Sequence, residues 1–281
     1  MCAQPGAYTF YDGDGAHHPA AILKGIRALI HRRGGYTVVI TVAMQKGGTG
    51  KSTTAAALTQ AAADAGKRAL AIDLDSQGNT SFFLSADTTR PGAYELLTGT
   101  ADPRRYIQTT QGGLDVIPAS WNLATVTGSR GSARRLQRAI EPIKKSYDLI
   151  IIDTPPNAGE LQYNALQAAD GLVIPLQCDI VGLQGLYLIY DTAQQITASN
   201  PALKITGIVL TRHNSRSTIA RQMQEKITST AAEMGIPYLG AIREAVAIRE
   251  AQTLQRSLYE YAPNSNPAQD YKAVLQQILG G

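Results

Sequence analysis

At 281 residues, 44% of them hydrophobic, the chain is long enough for one large folded core, and its composition excludes disorder as the default state. No apolar run approaches the roughly 18–20 residues of a membrane span, and the N-terminus lacks a signal peptide's apolar stretch, so the chain reads as soluble and cytosolic. A net charge of +4 with a pI near 9.0 is only mildly basic, and Cys2 and Cys178 have no metal-binding or redox spacing.

Residues 1–18 are polar and glycine-rich. Pro19 to Arg33 predicts a short helix, because Ile22, Leu23, Ile26, Leu29 and Ile30 recur at helical spacing and Gly34-Gly35 stops it. Its apolar stripe is expected to dock on the rest of the chain. Residues 1–35 thus form an N-terminal extension, too short for a separate helix-turn-helix domain, ahead of a main domain over 36–281.

Thr37 to Ala43 is a β-branched run that predicts a buried strand. It leads into Met44-Gln45-Lys46-Gly47-Gly48-Thr49-Gly50-Lys51-Ser52-Thr53-Thr54 and then an alanine-rich helix ending at Gly66. Strand, glycine loop and helix are the order a phosphate cradle requires. Gly47, Gly48 and Gly50 let successive N–H groups face one anion, and the helix start adds its unpaired N–H groups and positive dipole end. In such a cradle Lys51 sits against the β- and γ-phosphates and the Ser52 hydroxyl ligates Mg²⁺. The generic pattern has glycine at position 45. This chain has Gln45 there, and a second lysine, Lys46.

Arg68 to Asp75 predicts a buried strand ending in two carboxylates, one βαβ unit after the loop. Asp73 and Asp75 are expected to point to opposite sides and serve separate tasks. Asp75, nearer the end, is assigned to the γ-phosphate and the attacking water, and Asp73 to the loop or the outer shell of Mg²⁺. A short helix is expected over Pro91–Gly99, a strand over Leu114–Pro118 and a helix over Ala133–Lys145. Tyr147 to Asp153 is a strand whose final carboxylate suits Mg²⁺. Further strands are expected over Gly171–Pro175, Ile205–Leu210 and near Tyr238–Ile242. The alternation implies an α/β fold, a mostly parallel twisted sheet with helices on both faces. Ligands bind such sheets at the carboxyl ends of the strands, where Lys51, Asp75 and Asp153 fall. From Lys204 to Arg256, eight Lys/Arg face four Glu, enough to account for the whole net charge and to suit an anionic partner.

The K-G-G-x-G-K-S loop at 46–52, the stretch Asp73–Asn79, the run Tyr147–Pro156 and Ile174-Pro175-Leu176-Gln177-Cys178 together resemble the ParA family of partition ATPases, within the deviant Walker A (ParA/MinD) group of P-loop ATPases. The resemblance runs from about residue 37 to 279. It implies ATP bound by Lys46, Gly47, Gly48, Thr49, Gly50, Lys51, Ser52 and Thr53, with Mg²⁺ at Ser52, Asp75 and Asp153. It makes Lys46, Lys51 and Asp75 catalytic, Lys46 by crossing a homodimer interface to the other subunit's nucleotide. It implies an ATP-dependent dimer on non-specific double-stranded DNA, associated with the nucleoid, whose slow hydrolysis is stimulated by a ParB-like centromere-binding protein. Arg216 and Arg249 match the DNA-contacting positions best, Arg243 and Arg221 less well. Ser76 stands where proline is usual and Thr49 where valine is common. Cys178 reads as a small buried residue, and Arg130, Arg134, Arg135 and Arg138 as a solvated basic strip. Three related readings compete. A cargo-positioning ATPase of the same kind fits equally. A MinD-like membrane switch wants a C-terminal amphipathic helix with a basic flank, and Asp270–Leu279 offers only Lys272. A ligase of the cobyrinate type would need substrate residues that the sequence does not display.

Overall fold

In the computed structural model residues 37–128 and 132–280 are described. The helix expected over Pro19–Arg33, and Arg130, lie outside them. Four apolar runs form strands in which every residue is buried: Val38–Val42 (β1), Ala69–Asp73 (β2), Leu149–Asp153 (β5) and Gly171–Leu176 (β6). Burial on both faces marks them as the interior of a parallel sheet. With Gln108–Thr109 (β3), Asp115–Ile117 (β4), Lys204–His213 (β7) and Tyr238–Arg243 (β8) they form one eight-stranded sheet in the order β3-β4-β2-β5-β1-β6-β7-β8. Only β3 runs antiparallel to its neighbour.

Alternation along the strands feeds two cores. Val39, Leu70, Ile72, Ile150, Ile152 and Ile174 point to one face, where Ala93–Thr98 (α3), Arg135–Lys144 (α4), Glu160–Ala168 (α5), Ile180–Thr197 (α6) and Thr218–Glu233 (α7) pack. Val38, Ile40, Val42, Leu149, Ile151 and Val173 point to the other, covered by Lys51–Asp64 (α1), Val246–Thr253 (α8), Leu258–Tyr261 (α9) and Asn266–Leu279 (α10). The alanines of α1 combine the strongest helix propensity with small bulk, which seats the helix close to the sheet. It ends as expected at Gly66, whose φ of 72° lets its N–H bond Ala63 O while Lys67 N bonds Ala62 O, both at 2.9 Å.

The C-terminal helix α10 buries Tyr271, Val274, Leu275 and Ile278 in this second core, and Lys272 pairs with Asp64 of α1 at 2.7 Å. Its apolar stripe is therefore internal. Among the described residues no helix is long and apolar enough to cross a membrane.

Three expectations change. β2 ends at Asp73, so Asp75 stands in the following loop. β7 continues to His213, with Arg212 in the left-handed region at φ 49°. The helix expected over Ala133–Lys145 starts as a 3₁₀ turn, Ser132–Arg134, before α4. A short helix, Asn79–Phe83 (α2), and edge strand β3 add to the expected elements; both are too short to display a period.

Candidate functional site

The site grows from three adjacent strand ends. In register, Val42 of β1 lies beside Asp153 of β5, and Asp153 beside Asp73 of β2. The chain leaves β1 into the loop Ala43–Gly50. Gly48 and Gly50 adopt φ of 74° and 85°, which side chains resist. Gly50 is further constrained by crowding, since a Cβ there would lie 3.3 Å from Thr211 Cγ2. Thr211 Oγ1 donates to Thr49 O at 2.8 Å and Gln177 Nε2 donates to Gly48 O at 2.9 Å, so the ends of β7 and β6 hold the loop's outer side. Its other side is open: a Cβ on Gly47 or Gly48 would meet nothing within 4 Å.

Lys51 opens α1 with its side chain buried, and Nζ donates to Lys46 O at 2.8 Å. Burial pulls its pKa down, while the nearby Asp153 and Asp75 charges act in the opposite sense. Asp153 is wholly buried. Its Oδ2 accepts from Thr80 Oγ1 at 2.7 Å and Oδ1 accepts from Thr154 N at 2.9 Å, with the Ser52 hydroxyl close by. Burial pushes its pKa up and the Ser52 and Thr80 hydroxyls pull it back. Asp73, also wholly buried, is pushed up by burial and then by the Asp153 charge beside it.

Asp73 and Asp75 do divide their contacts, though not by strand alternation, since residues two apart on a strand share a face. They separate because the strand stops. Asp73 Oδ1 accepts from Asp75 N at 3.1 Å, and Oδ2 from Ser81 N and Oγ at 2.8 and 2.7 Å. It organises the loop. Asp75 Oδ1 accepts from Gln77 N at 3.1 Å, close enough to Lys51 for their charges to interact.

Lys46 Nζ pairs with both Asp179 oxygens at 3.2 and 3.3 Å, at the N-cap of α6. Gln45 reaches sideways, Nε2 donating to Thr192 Oγ1 at 2.7 Å and Gln162 Oε1 at 3.1 Å, which ties the loop's start to α6 and α5. Beside Gly50 and Thr53 a cavity of about 140 Å³ opens between Thr211, Arg212, Ile242 and Ile248. The sequence does not point to Thr80, Ser81, Gln177 or Asp179 as site residues, although Thr80 and Ser81 follow the stretch Asp73–Asn79 and Gln177 and Asp179 lie in or beside 174–178.

The basic candidates lie apart from these carboxylates. Arg216, in the loop before α7, and Arg249, on α8, are exposed, and among the described residues neither guanidinium has a hydrogen-bond or ion-pair partner. Arg221 donates to Thr218 Oγ1 at 3.3 Å. Arg243 is engaged: its guanidinium grips Asp270 through bonds of 2.7 and 3.0 Å. Arg134 donates to Ser199 O at 2.7 Å. Cys178 is half-buried rather than buried, its Sγ 3.5 Å from His213 Nδ1, and burial pushes its thiol up to about 11.

A family profile described as an AAA domain matches residues 37–205. The chain is 32% identical over 242 residues to the chromosome-partitioning ATPase Soj of Thermus thermophilus, covering 85% of this chain and 94% of that protein. It is 35% identical over 251 residues to the chromosome partitioning protein ParA of Caulobacter vibrioides, covering 86% and 93%. Among solved structures it resembles a cobyrinic acid a,c-diamide synthase from Mycobacterium smegmatis, bound to an ATP analog and magnesium, with 30% identity and a TM-score of 0.74 over 84% of this chain and 91% of that one. The ATP complex of a McdA variant from Cyanothece shares the fold, at 23% identity and a TM-score of 0.78 over 88% and 98%. A parallel sheet whose central strand opens into a two-lysine glycine loop, and relatives at this identity along most of their length, lead to one assignment: the chain belongs to the ParA/MinD group of P-loop ATPases.

Proposed function

We propose that the chain is a DNA-partition ATPase in which ATP binding makes a dimer that coats DNA and hydrolysis releases it. The observation that supports this most is Lys51, a buried amine at a helix start, facing a glycine loop with open space above it and flanked by two carboxylates. A triphosphate with Mg²⁺ completes that charge set. Relatives named as chromosome-partitioning proteins supply the biological class.

In this reading Gly47, Gly48, Thr49, Gly50 and Thr53 present backbone N–H groups to the phosphates, and Lys51 turns from Lys46 O toward the β- and γ-oxygens. The Ser52 hydroxyl and Asp153, which lie near each other, would hold Mg²⁺, with Asp75 close by. When bound, the ion would neutralise phosphate charge. The cavity beside Gly50 and Thr211 takes the base. Asp75 orients the attacking water. Lys46 leaves Asp179 to reach the nucleotide of a second copy, so dimerisation and hydrolysis are linked. Arg216 and Arg249 bind DNA phosphates without reading bases, with smaller shares from Arg221 and Arg243, and the dimer doubles the contacts. A ParB-like partner accelerates the slow hydrolysis, and the protein resides on the nucleoid.

The test is fluorescence anisotropy of a random-sequence duplex titrated with the protein, with ATP–Mg²⁺, with ADP–Mg²⁺ and with neither, at two salt concentrations. Binding that requires ATP and weakens steeply with salt is expected. Absence of binding in every state refutes the DNA half and leaves a cargo-positioning ATPase as the reading.

A further inference from the structure

Helix α8 carries Arg249 and is only partly built into the second core. Only Ala251 is fully buried, Ala247 and Ile248 are partly so, and a void of about 20 Å³ lies between the helix and α1, among Ala56, Thr53, Ile248 and Gln252. Close packing fixes a helix without further help; here polar ties carry more of the task. Gln252 Nε2 donates to Thr53 Oγ1 at 3.0 Å, in the first turn of α1 next to Ser52. Just past the helix end, Gln255 Nε2 donates to Phe82 O at 3.1 Å, and Ser85 Oγ donates back to Gln255 O at 2.9 Å. These last two join α8 to α2 and the residues that follow it.

Helix α2 is in turn hitched to the nucleotide site at two points. Ser81 bonds Asp73, and Thr80 Oγ1 faces both Asp153 Oδ2 at 2.7 Å and Ser52 O at 3.2 Å. One hydroxyl proton favours one of those acceptors at a time, so any change at Asp153 or Ser52 is felt by α2. The far contact is strained. Ser85 and Gln255 have φ of 60° and 51°, and with Arg212 they are the only non-glycine residues at positive φ among the described residues. Such conformations persist only where the surroundings over-determine them. Two of the three face each other across a single contact.

We propose that α2 and the Ser85–Gln255 contact transmit the state of Asp153 and Ser52 to α8, making Ser85 and Gln255 positioning residues for the surface that carries Arg249. The inference rests on the nucleotide-binding reading above and adds the route by which that site governs a distant helix. Linkage makes the coupling reciprocal: whatever binds α8 changes nucleotide affinity by the same factor.

The test is the double variant Ser85→Gly/Gln255→Gly, which removes both side-chain ties while glycine accepts both backbone angles without strain. Gln255→Asn, which tolerates the same backbone region but is too short to reach Phe82, is the second variant should the first unfold. Three readouts are taken: titration with a fluorescent ATP analogue, hydrogen–deuterium exchange over residues 246–255 with and without ATP–Mg²⁺, and duplex anisotropy. In the wild type, nucleotide is expected to change exchange across α8. In the variant, nucleotide affinity stays within twofold, the exchange response disappears, and the ATP-over-ADP ratio of duplex affinity falls about fivefold or more. A variant that binds nucleotide and keeps the exchange response overturns the inference. So does a wild type whose α8 exchange ignores bound nucleotide, even if it binds DNA. Failure of the wild type to bind the ATP analogue refutes the nucleotide-binding reading instead, and the inference falls with it.

Discussion

Replacing Thr80 with valine isolates one hydrogen bond of the site. Valine matches threonine in shape, so the substitution leaves no cavity and removes only the hydroxyl that donates to Asp153 at 2.7 Å and lies near Ser52 O. Thr80 and Asp153 are both wholly buried, so water does not replace the lost donor. A hydrogen bond to a charged group contributes about 1.5–3 kcal/mol. For a chain of this size that corresponds to a fall in Tm of roughly 3–12 °C. The loss depends on pH, and its sign follows from Asp153. Burial holds its folded pKa above the ordinary carboxylate value, so the apo protein loses stability as pH rises from that ordinary value through the raised one. The Thr80 donor opposes this by favouring the carboxylate; without it the folded pKa rises further and the loss deepens. The valine variant should therefore be close to wild type in Tm near pH 5 and well below it near pH 8, measured by differential scanning fluorimetry without nucleotide. An equal deficit at both pH values, or none at either, would refute the assigned role of Thr80 as the donor that sustains the Asp153 charge.

Thr49 offers a change in the opposite direction. Its hydroxyl is buried and, among the described residues, without a partner, so Thr49→Val should raise Tm by about 2–4 °C through removal of roughly 1 kcal/mol of desolvation cost; an unchanged or lower Tm counts against it. Asp75→Ala should leave ATP binding intact and slow hydrolysis by about 10²–10⁴-fold, trapping the DNA-bound state; normal turnover in a phosphate-release assay would remove Asp75 from the mechanism. Arg216→Ala and Arg249→Ala should each lower duplex affinity and flatten its dependence on salt by about one unit of slope. Arg243→Ala should do so less, because its guanidinium is already held by Asp270. Equal effects of all three in anisotropy titrations would contradict that ranking.

What could be read along the chain was what repeats or clusters locally. The β-branched run before Met44, the glycines at 47, 48 and 50, and the isoleucines before Asp153 announce a buried strand, a loop of unusual backbone and a carboxylate at a strand end, each within a few residues. The partners of those residues are different in kind. Thr80 meets Asp153, Asp179 meets Lys46 and Gln45 meets Thr192 only after the sheet has brought distant segments together. Helix α2 escapes any periodic reading because five residues make little more than one turn. The two aspartates of the 73–75 stretch take different contacts, though not for the reason strand alternation would give. The strand's early end separates them, and its position is set by bonds from Ser81 and Asp75 N rather than by any residue pattern.

The place of β1 in the sheet also governs when the protein can begin to work. β1 is among the first strands made, yet both of its neighbours, β5 and β6, lie at Leu149–Asp153 and Gly171–Leu176. On the ribosome, the loop with both lysines emerges long before anything can pair with either edge of the strand that supports it. Until Asp153 has cleared the exit tunnel β1 presents two unpaired edges, and until β6 follows it still presents one, each a template for pairing with the wrong chain. Nucleotide binding is therefore expected only late in synthesis. A chain truncated before Leu149 retains the glycine loop and loses the sheet position that shapes it, so such fragments should aggregate rather than bind ATP.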